Sequence, residues 1–217
     1  MLKAYAVAAM FCLSSVHAEQ IQLTNLSRLE LTNTKAVIAT HQGKSALKLT
    51  EAENGQGDAF ATVKDLRFRN GTIELELSGA PLKSAPDSAR GFVGVAFRVQ
   101  PGGSRFEYFY IRPTNGRTDD QLRRNHSTQY ASFPDWPWQR LRQESPGVYE
   151  SYADMAPGEW TRLRTVVQGT NAMLHVGGAT QPCLIVHDLK LGDVEGSIAL
   201  WIGPGTEGHF RDLTISK

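Results

Sequence analysis

The amino-acid sequence predicts an all-β protein, a two-sheet antiparallel β-sandwich of the jelly-roll type with one long functional loop. About a dozen short apolar runs are separated by turn-forming residues, and most of them alternate apolar with polar side chains. Almost no stretch has the spacing of an amphipathic helix. This combination favours two packed sheets around a shared core, with a concave groove where one sheet bends.

The first part of the chain contains short strand patterns between Asn- and Gly-rich breaks. Apolar runs occupy residues 21–26, 36–40, 46–49 and 59–63. After Asn70-Gly71, the apolar residues Ile73, Leu75 and Leu77 alternate with polar ones. Because successive side chains of a strand point to opposite faces, we expect one buried face and one solvent face here.

Two longer runs, residues 91–99 and 105–112, flank Pro101-Gly102-Gly103-Ser104 and predict a hairpin. A turn centred near Gly103 would give one face to the core and the other to a groove. The predicted core pairs are Phe97 with Phe109 and Val95 with Ile111, and the predicted groove pairs are Arg98 with Tyr108, Ala96 with Tyr110 and Gly94 with Arg112. Small residues beside large ones would leave a hollow over the sheet, whereas a slip of one residue would exchange the two faces.

The segment 113–157 has no long period of either kind and is rich in Pro, Asn, Asp and Arg. A loop of this length in a compact domain is usually functional, and residues 138–144 could form a short helix within it. A second hairpin is predicted from residues 160–168 and 171–176 around Gly169-Thr170. Strands at 183–186, 196–202 and 209–215 complete a single domain, residues 19–217.

The N-terminus, residues 1–18, is predicted to be a secretory signal peptide. Lys3 precedes an uncharged run over residues 4–13, and Val16-His17-Ala18 is a small-residue cleavage pattern. The alternative is a buried N-terminal helix. The apolar run is too short to span a membrane, so we expect a periplasmic or secreted protein without an integral membrane segment after signal removal.

Charge and cysteine content limit the function classes. The chain has 23 basic and 22 acidic residues, and removal of Lys3 with the signal leaves a balanced mature chain. Such a balance argues against a nucleic-acid partner, since nucleic-acid affinity depends on a large positive surplus. Cys183 alone remains after cleavage, so the mature chain cannot form an internal disulfide.

A specific motif lies in the middle of the chain. It comprises Arg112-Pro113, Asn115, Arg117, Arg123-Arg124, His126, Gln129-Tyr130, Pro134, Pro137-Trp138 and Arg140-Leu141-Arg142. It resembles a motif of exported bacterial proteins in the concanavalin A-like lectin/glucanase superfamily, similar to the domain named for 3-keto-disaccharide hydrolases. The resemblance covers roughly residues 60–217. It implies a jelly roll and a carbohydrate ligand, and structural calcium is common among such relatives.

The same residues have the chemistry of a sugar site. Aromatic faces suit the C–H faces of sugar rings, and guanidinium groups suit vicinal hydroxyls or the carboxylate of an acidic or oxidised sugar. The candidate ligand-binding residues are Arg98, Tyr108, Tyr110, Arg112, Asn115, Arg117, Arg124, His126, Gln129, Tyr130, Trp136 and Trp138. The alternative is that the rings fill the loop's own core while the arginines pair with nearby acids, namely Asp119, Asp120, Asp135 and Glu144.

Catalysis is less clearly indicated. His126 could act as a general acid or base, or it could fix the loop by hydrogen bonds. Glycoside hydrolysis normally needs two carboxylates, which Glu74 and Glu76 could supply. Their alternation with apolar residues instead predicts exposure to solvent, and this strand lacks the denser acidic pattern of glucanases in the superfamily. We expect no cofactor and no metal among the site residues; structural calcium stays possible, although no calcium-binding loop is evident. The sequence therefore predicts an exported carbohydrate-binding protein, and whether it only binds or also cleaves a glycoside of an oxidised or acidic sugar stays open. The alternative is a non-catalytic structural or protein-interaction domain of the cell envelope.

Overall fold

A computed structural model describes residues 18–55 and 57–217. The described residues form fifteen strands and three short helices. The strands are β1 (Ala18–Ile21), β2 (Leu29–Thr32), β3 (Thr34–His41), β4 (Lys44–Glu51), β5 (Ala59–Val63), β6 (Gly71–Pro81), β7 (Val93–Val99), β8 (Phe106–Ile111), β9 (Thr128–Phe133), β10 (Glu150–Ser151), β11 (Thr161–Gln168), β12 (Asn171–Val176), β13 (Leu184–Val186), β14 (Ser197–Ile202) and β15 (Thr206–Ser216). The helices are α1 (Pro113–Gly116), α2 (Gln121–Arg124) and α3 (Trp138–Glu144).

These strands make the predicted sandwich of two antiparallel sheets. The back sheet has the order β13-β12-β11-β6-β15-β4-β3, with β1 also paired to β15. The front sheet has the order β10-β9-β8-β7-β14-β5-β2. The non-sequential order of neighbouring strands is the crossed connectivity of a jelly roll, as the sequence predicted.

The inner face of the front sheet is identified by its contacts with the back sheet. A Cβ atom on Gly79 or Gly208 of the back sheet would meet the methyl groups of Val93. Val93 pairs with Ile111 and Ile202, so these side chains share the inner face. Gly94, Tyr110 and Trp201, one residue along each strand, therefore lie on the outer face.

The hairpin of β7 and β8 has the predicted faces but a different register. Val95 pairs with Phe109, Ala96 with Tyr108, and Gly94 with Tyr110. The predicted register was wrong by two residues, because the paired strands are centred on Gly102 and not on Gly103, and the turn forms a short 3-10 segment at Pro101–Gly103. A shift of two residues keeps each side chain on its own face, so the small residues still lie opposite tyrosines.

Other predictions for the strands are confirmed. In the second hairpin, Leu163 pairs with Val176 and Thr165 with Leu174, which leaves Arg164 opposite His175 on the other face. The helix expected at residues 138–144 is α3. The predicted signal peptide falls outside the described residues except for Ala18, at which β1 begins. None of the described helices is long and apolar enough to cross a membrane.

The long loop was only partly predicted. Residues 113–157 contain β9, which pairs with β8 over its whole length, as well as α1, α2 and β10. The loop prediction failed for β9 because most of this strand is buried on both faces, so apolar and polar residues do not alternate. Its polar members, such as Gln129 and Ser132, are buried with hydrogen bonds.

Candidate functional site

An aromatic cavity of about 370 Å³ opens on the outer face of the front sheet. Tyr108, Tyr110 and Trp201 form its floor, with ring centroids 5.0 to 5.5 Å apart. Its remaining lining residues are Asp58, Pro86, Ser88, Ala89, Phe92, Pro137, Trp138, Gln139 and Pro204. The cavity therefore offers flat apolar faces with a few polar groups, which is the usual composition of a small-ligand site.

The floor depends on Gly94, which lies between Tyr110 of β8 and Trp201 of β14. A Cβ atom at this position would lie 2.6 Å from Tyr110 Cβ and would also meet the backbone carbonyl of Phe109. Glycine is thus required for the two rings to converge over the strand. Ala96, another small residue of β7, pairs with Tyr108.

Asp58 is the carboxylic acid of the aromatic cavity. Its Oδ1 atom accepts a hydrogen bond of 2.8 Å from Trp201 Nε1. Burial raises the pKa of Asp58 above its usual value, and the bond from Trp201 opposes this shift. The residue precedes β5, and a short polar side chain there gave no sign in the sequence that it would face a cavity.

A second, cationic cavity of about 310 Å³ lies beside the first. Ser88, Phe92 and Trp138 line both cavities, so the two form one cleft. The other lining residues are Arg90, Arg112, Asn115, Arg123, His126 and Arg142. Four guanidinium groups and one imidazole therefore surround this end, and none of its lining residues carries a carboxylate.

Three of these arginines bond only to neutral groups. Arg112 donates to Tyr110 Oη at 2.9 Å, to Gln129 Oε1 at 3.1 Å and to a backbone carbonyl. Arg90 donates to backbone carbonyls. The side chain of Arg123 donates a hydrogen bond of 3.5 Å to Asn115 Oδ1, and its buried Nε has no hydrogen-bond partner among the described residues.

The positive charge of this end is therefore only partly balanced, by Asp87 near Arg90 and by Glu150 near Arg112 and Arg142. Burial lowers the pKa of Arg112 below its usual value, because removing the guanidinium cation from water costs free energy. Burial and the charge of Arg123 also lower the pKa of Arg90. Buried charges are normally paired, and an incompletely compensated group of cations indicates a site for an anion.

The fourth arginine belongs to a buried ionic cluster at the base of the cationic cavity. Glu150, whose side chain is 4% exposed, accepts bonds of 2.6 and 3.1 Å from Arg142. Its Oε1 atom also lies 3.2 Å from Nε2 of His126. Burial, with the charges of Arg142 and Arg112, lowers the pKa of His126, although Glu150 opposes the shift. The ring is therefore held neutral at neutral pH.

The structure brings several predicted residues into this cleft. Tyr108 and Tyr110 form the floor, Trp138 forms the shared wall, and Arg112, Asn115 and His126 line the cationic cavity. Gln129 lies behind them, where its Oε1 accepts from Arg112 and its Nε2 donates to Tyr149 O. The aromatic and cationic parts of the sequence motif thus converge, whichever ligand they bind.

Arg98 and Tyr130 are placed elsewhere, which corrects the predicted groove face. Arg98 is fully buried at an irregularity of β7 with φ of 54° and donates to the backbone carbonyls of Arg69, Gly169 and Gly192. Tyr130 pairs with Phe109 on the inner face and donates to Glu107. Both side chains therefore join segments of the fold rather than line the cleft.

Three other predicted residues lie outside both cavities. Arg117 forms exposed ion pairs with Asp154 and Glu159. Arg124 donates to the backbone carbonyl of Thr118. Trp136 stacks between the cationic heads of Arg140 and Lys190, at 3.7 and 4.6 Å. The alternative prediction, that rings and arginines stabilise the loop itself, therefore describes these residues well.

The acidic residues of β6 are held in ion pairs away from the cleft. Glu74 bonds to Arg162, and Glu76 contacts Lys44 and Arg211, all on the outer face of the back sheet. Among the described residues, no group of three or more His, Cys, Asp and Glu side chains is placed to hold a metal ion. The sequence analysis missed Asp58, Phe92 and Trp201 as cleft residues, since they come from segments far from the motif.

Solved structures share this fold. Carbohydrate-binding module CBM66 from Bacillus subtilis has a TM-score of 0.60 and 13% identity, over 88% of this chain and 98% of that one. The likeness is one of fold, a jelly roll. A Bacillus subtilis protein with a galectin-like fold has a TM-score of 0.54 and 12% identity, over 88% and 90% of the two chains. A glycosidic hydrolase has a TM-score of 0.54 and 12% identity, over 91% and 94%. No protein-family model and no curated protein sequence matches this chain.

Proposed function

We propose that the protein is an exported carbohydrate-binding protein and that the cleft of the front sheet is its binding site. The observation that carries the proposal is the floor of Tyr108, Tyr110 and Trp201 beside the wall of Trp138. Sugar rings stack on such faces through their C–H groups, and Asp58 and Gln139 supply polar contacts for hydroxyls. The fold shared with a carbohydrate-binding module and a glycosidic hydrolase supports this assignment.

The preferred ligand in this proposal is an acidic or oxidised sugar. The cationic cavity adjoins the aromatic one, so a glycan bound on the rings would extend a neighbouring group toward Arg112 and Arg123. A carboxylate there would receive the charge-assisted hydrogen bonds that the protein does not itself supply. Neutral sugars would leave these cations desolvated and unpaired, which costs binding free energy.

Cleavage of a glycosidic bond is a second candidate, supported by the pair of His126 and Glu150. The carboxylate of Glu150 lies beside the neutral imidazole of His126, which lines the cationic cavity. A neutral histidine positioned by a carboxylate can act as a general base. The competing class, a surface that docks another protein, is less well supported. A cleft of two concave cavities suits a small ligand better than a flat partner surface.

Binding tested with matched tryptophan variants discriminates between these classes. Trp138→Ala removes the shared wall of the cleft, whereas Trp136→Ala removes a ring outside it, in the same segment of the chain. On an array of neutral, uronic and 3-keto oligosaccharides, we expect the wild-type protein and Trp136→Ala to bind an acidic or oxidised glycan. Trp138→Ala should bind at least about 10-fold more weakly. Equal losses for both variants, or no glycan bound by the wild type, would reject the proposal.

A further inference from the structure

The structure combines, in one cleft, the three groups that a β-elimination of a uronate requires. We propose that the protein cleaves a uronate-containing glycan as a lyase, with His126 as the base and Tyr110 as the acid. This inference rests on the proposed binding of an acidic sugar. It names the reaction that the cleft performs on that sugar and distinguishes it from hydrolysis.

Hydrolysis fits the cleft poorly. A glycoside hydrolase normally places two carboxyl groups on either side of the scissile bond. Among the described residues that line the two cavities, Asp58 alone has a carboxyl group, and it lies in the aromatic cavity. The side chain of Glu150 is 4% exposed and bound by Arg142 and His126, so it orients these groups rather than attacking a sugar.

The first requirement of an elimination is neutralisation of the substrate carboxylate. The carbon next to a carboxylate (the α carbon) loses its proton only when the negative charge developing on the carboxylate oxygens is stabilised. Arg112, Arg123 and Arg90 bond only to neutral groups, so they can supply this stabilisation without first breaking an ion pair. The buried Nε of Arg123, which has no partner among the described residues, is one such donor.

The second requirement is a base beside these cations. Nε2 of His126 lies 3.2 Å from Glu150 Oε1, and the negative charge of this carboxylate favours a proton on the nitrogen nearest to it. The proton of the neutral ring is thereby held on Nε2, which leaves a lone pair on Nδ1. Nδ1 makes no hydrogen bond to any residue in the described part of the chain, and His126 lines the cationic cavity.

The third requirement is a proton donor for the departing glycosidic oxygen. The hydroxyl of Tyr110 accepts a hydrogen bond from Arg112 at 2.9 Å, and no described residue accepts its own proton. Burial raises the pKa of Tyr110 to about 12, so the hydroxyl is protonated at neutral pH. Its ring lies in the aromatic cavity, whereas its partner Arg112 lines the cationic one. The hydroxyl therefore lies where the aromatic and cationic cavities meet.

The reaction balances with these groups alone. The C–H bond of the α carbon breaks, and its proton goes to Nδ1 of His126. A double bond forms between the α carbon and the β carbon, the next ring carbon, as the bond from the β carbon to the glycosidic oxygen breaks. That oxygen leaves with the proton of Tyr110. No water enters the products and no oxidant or reductant takes part; proton exchange with solvent then restores both side chains.

The test uses the full mature chain with polygalacturonate, alginate and hyaluronan as substrates, in water enriched in heavy oxygen. Elimination produces ultraviolet absorbance from the new conjugated double bond and an unsaturated product without heavy oxygen from solvent at the scissile bond. We expect this result for at least one polymer. His126→Gln should lower the rate by about 10²- to 10⁴-fold, as loss of a general base does, with oligosaccharide affinity retained. Tyr110→Phe should lower the rate while keeping the ring on the cavity floor.

Each alternative result has a separate meaning. Heavy-oxygen incorporation without absorbance would show hydrolysis and overturn the lyase assignment, and so would wild-type turnover in His126→Gln. Binding of acidic oligosaccharides without any cleavage would overturn the lyase assignment and leave the proposed binding function intact. The absence of binding to every glycan would instead reject the proposed function. Circular dichroism and the Tm of each variant show whether it is folded, and Trp136→Ala, outside the cleft, is the control for full activity.

Discussion

The ionic cluster of Glu150 makes a quantitative prediction about stability. Arg142→Met keeps a long side chain but removes the bidentate partner of a carboxylate that is 4% exposed. Removal of one member of a buried pair costs about 3–5 kcal/mol. Arg142 is 32% exposed and His126 remains 3.2 Å from the carboxylate, so the lower end of this range applies. The guanidinium also packs 4.6 Å from the Trp138 ring centroid, which contributes about 0.5–1 kcal/mol.

We therefore expect Arg142→Met to lower the free energy of unfolding by about 3 kcal/mol, measured by urea denaturation at neutral pH. The double variant with Glu150→Gln should recover about 1–2 kcal/mol of this loss, because the uncompensated charge is removed as well. Arg105→Met is the matched control: Arg105 and Asp135 form an exposed pair at 3.4 Å, and its loss should cost less than about 1 kcal/mol. Equal costs for Arg142→Met and Arg105→Met would refute the buried cluster.

Three further variants test the fold that supports the cleft. Gly94→Ala should destabilise the protein by about 1–3 kcal/mol in urea denaturation, because the added methyl group meets Tyr110 and the backbone. Arg98→Met should cost about 3–5 kcal/mol in the same assay, since three backbone carbonyls and Asp193 lose the donor that a fully buried guanidinium supplies. His209 is buried and has its pKa lowered to about 4, chiefly by burial and by His41. Its unfolded form binds a proton below about pH 6.5, so its contribution should be complete above that pH and fall by roughly 3 kcal/mol as the pH drops to 4. His209→Gln should remove this difference from the pH dependence of stability.

Each of these expectations has a contrary result. If Gly94→Ala is as stable as the wild type, β7 and β8 can move apart enough to accommodate the methyl group. A cost below about 1 kcal/mol for Arg98→Met would show that water replaces the guanidinium. The effect of His209 must be measured as a difference between wild type and variant. Burial also raises the pKa of Glu107 to about 6, which favours the folded state at low pH and opposes the effect of the histidine. Parallel pH curves for the two proteins would reject the assignment.

Local patterns in the sequence were sufficient to predict most of the fold. Alternation placed Ile73, Leu75 and Leu77 on a buried face, and composition located the turns of both hairpins. Alternation could not reveal β9, because burial of both faces removes the difference between them. It could not fix the register of β7 and β8 either, since the residue on which a turn is centred depends on backbone conformations such as the positive φ of Gly102 and Gly103.

The candidate site was predicted only for those of its residues that are close together in the sequence. Tyr110, Arg112 and Trp138 are close in sequence and converge in space, so a local motif was informative. Asp58 and Trp201 enter the cleft through pairing of distant strands, which no local pattern encodes. Arg98 and Tyr130 have the residue types of a sugar site but are inside the sandwich, because a β-bulge and the pleat direct them there. Residue type alone could not separate these two groups.

Calorimetric titration with an acidic oligosaccharide and its neutral counterpart tests the central claim most directly. The account predicts that the wild-type protein prefers the acidic glycan. Arg123→Gln should weaken that binding by roughly 10- to 100-fold, the loss of a charge-assisted hydrogen bond worth about 1.5–3 kcal/mol. Arg105→Gln, an equal change of charge outside the cleft, should bind as the wild type does. Equal affinity for both glycans, or wild-type affinity in Arg123→Gln, would contradict the account.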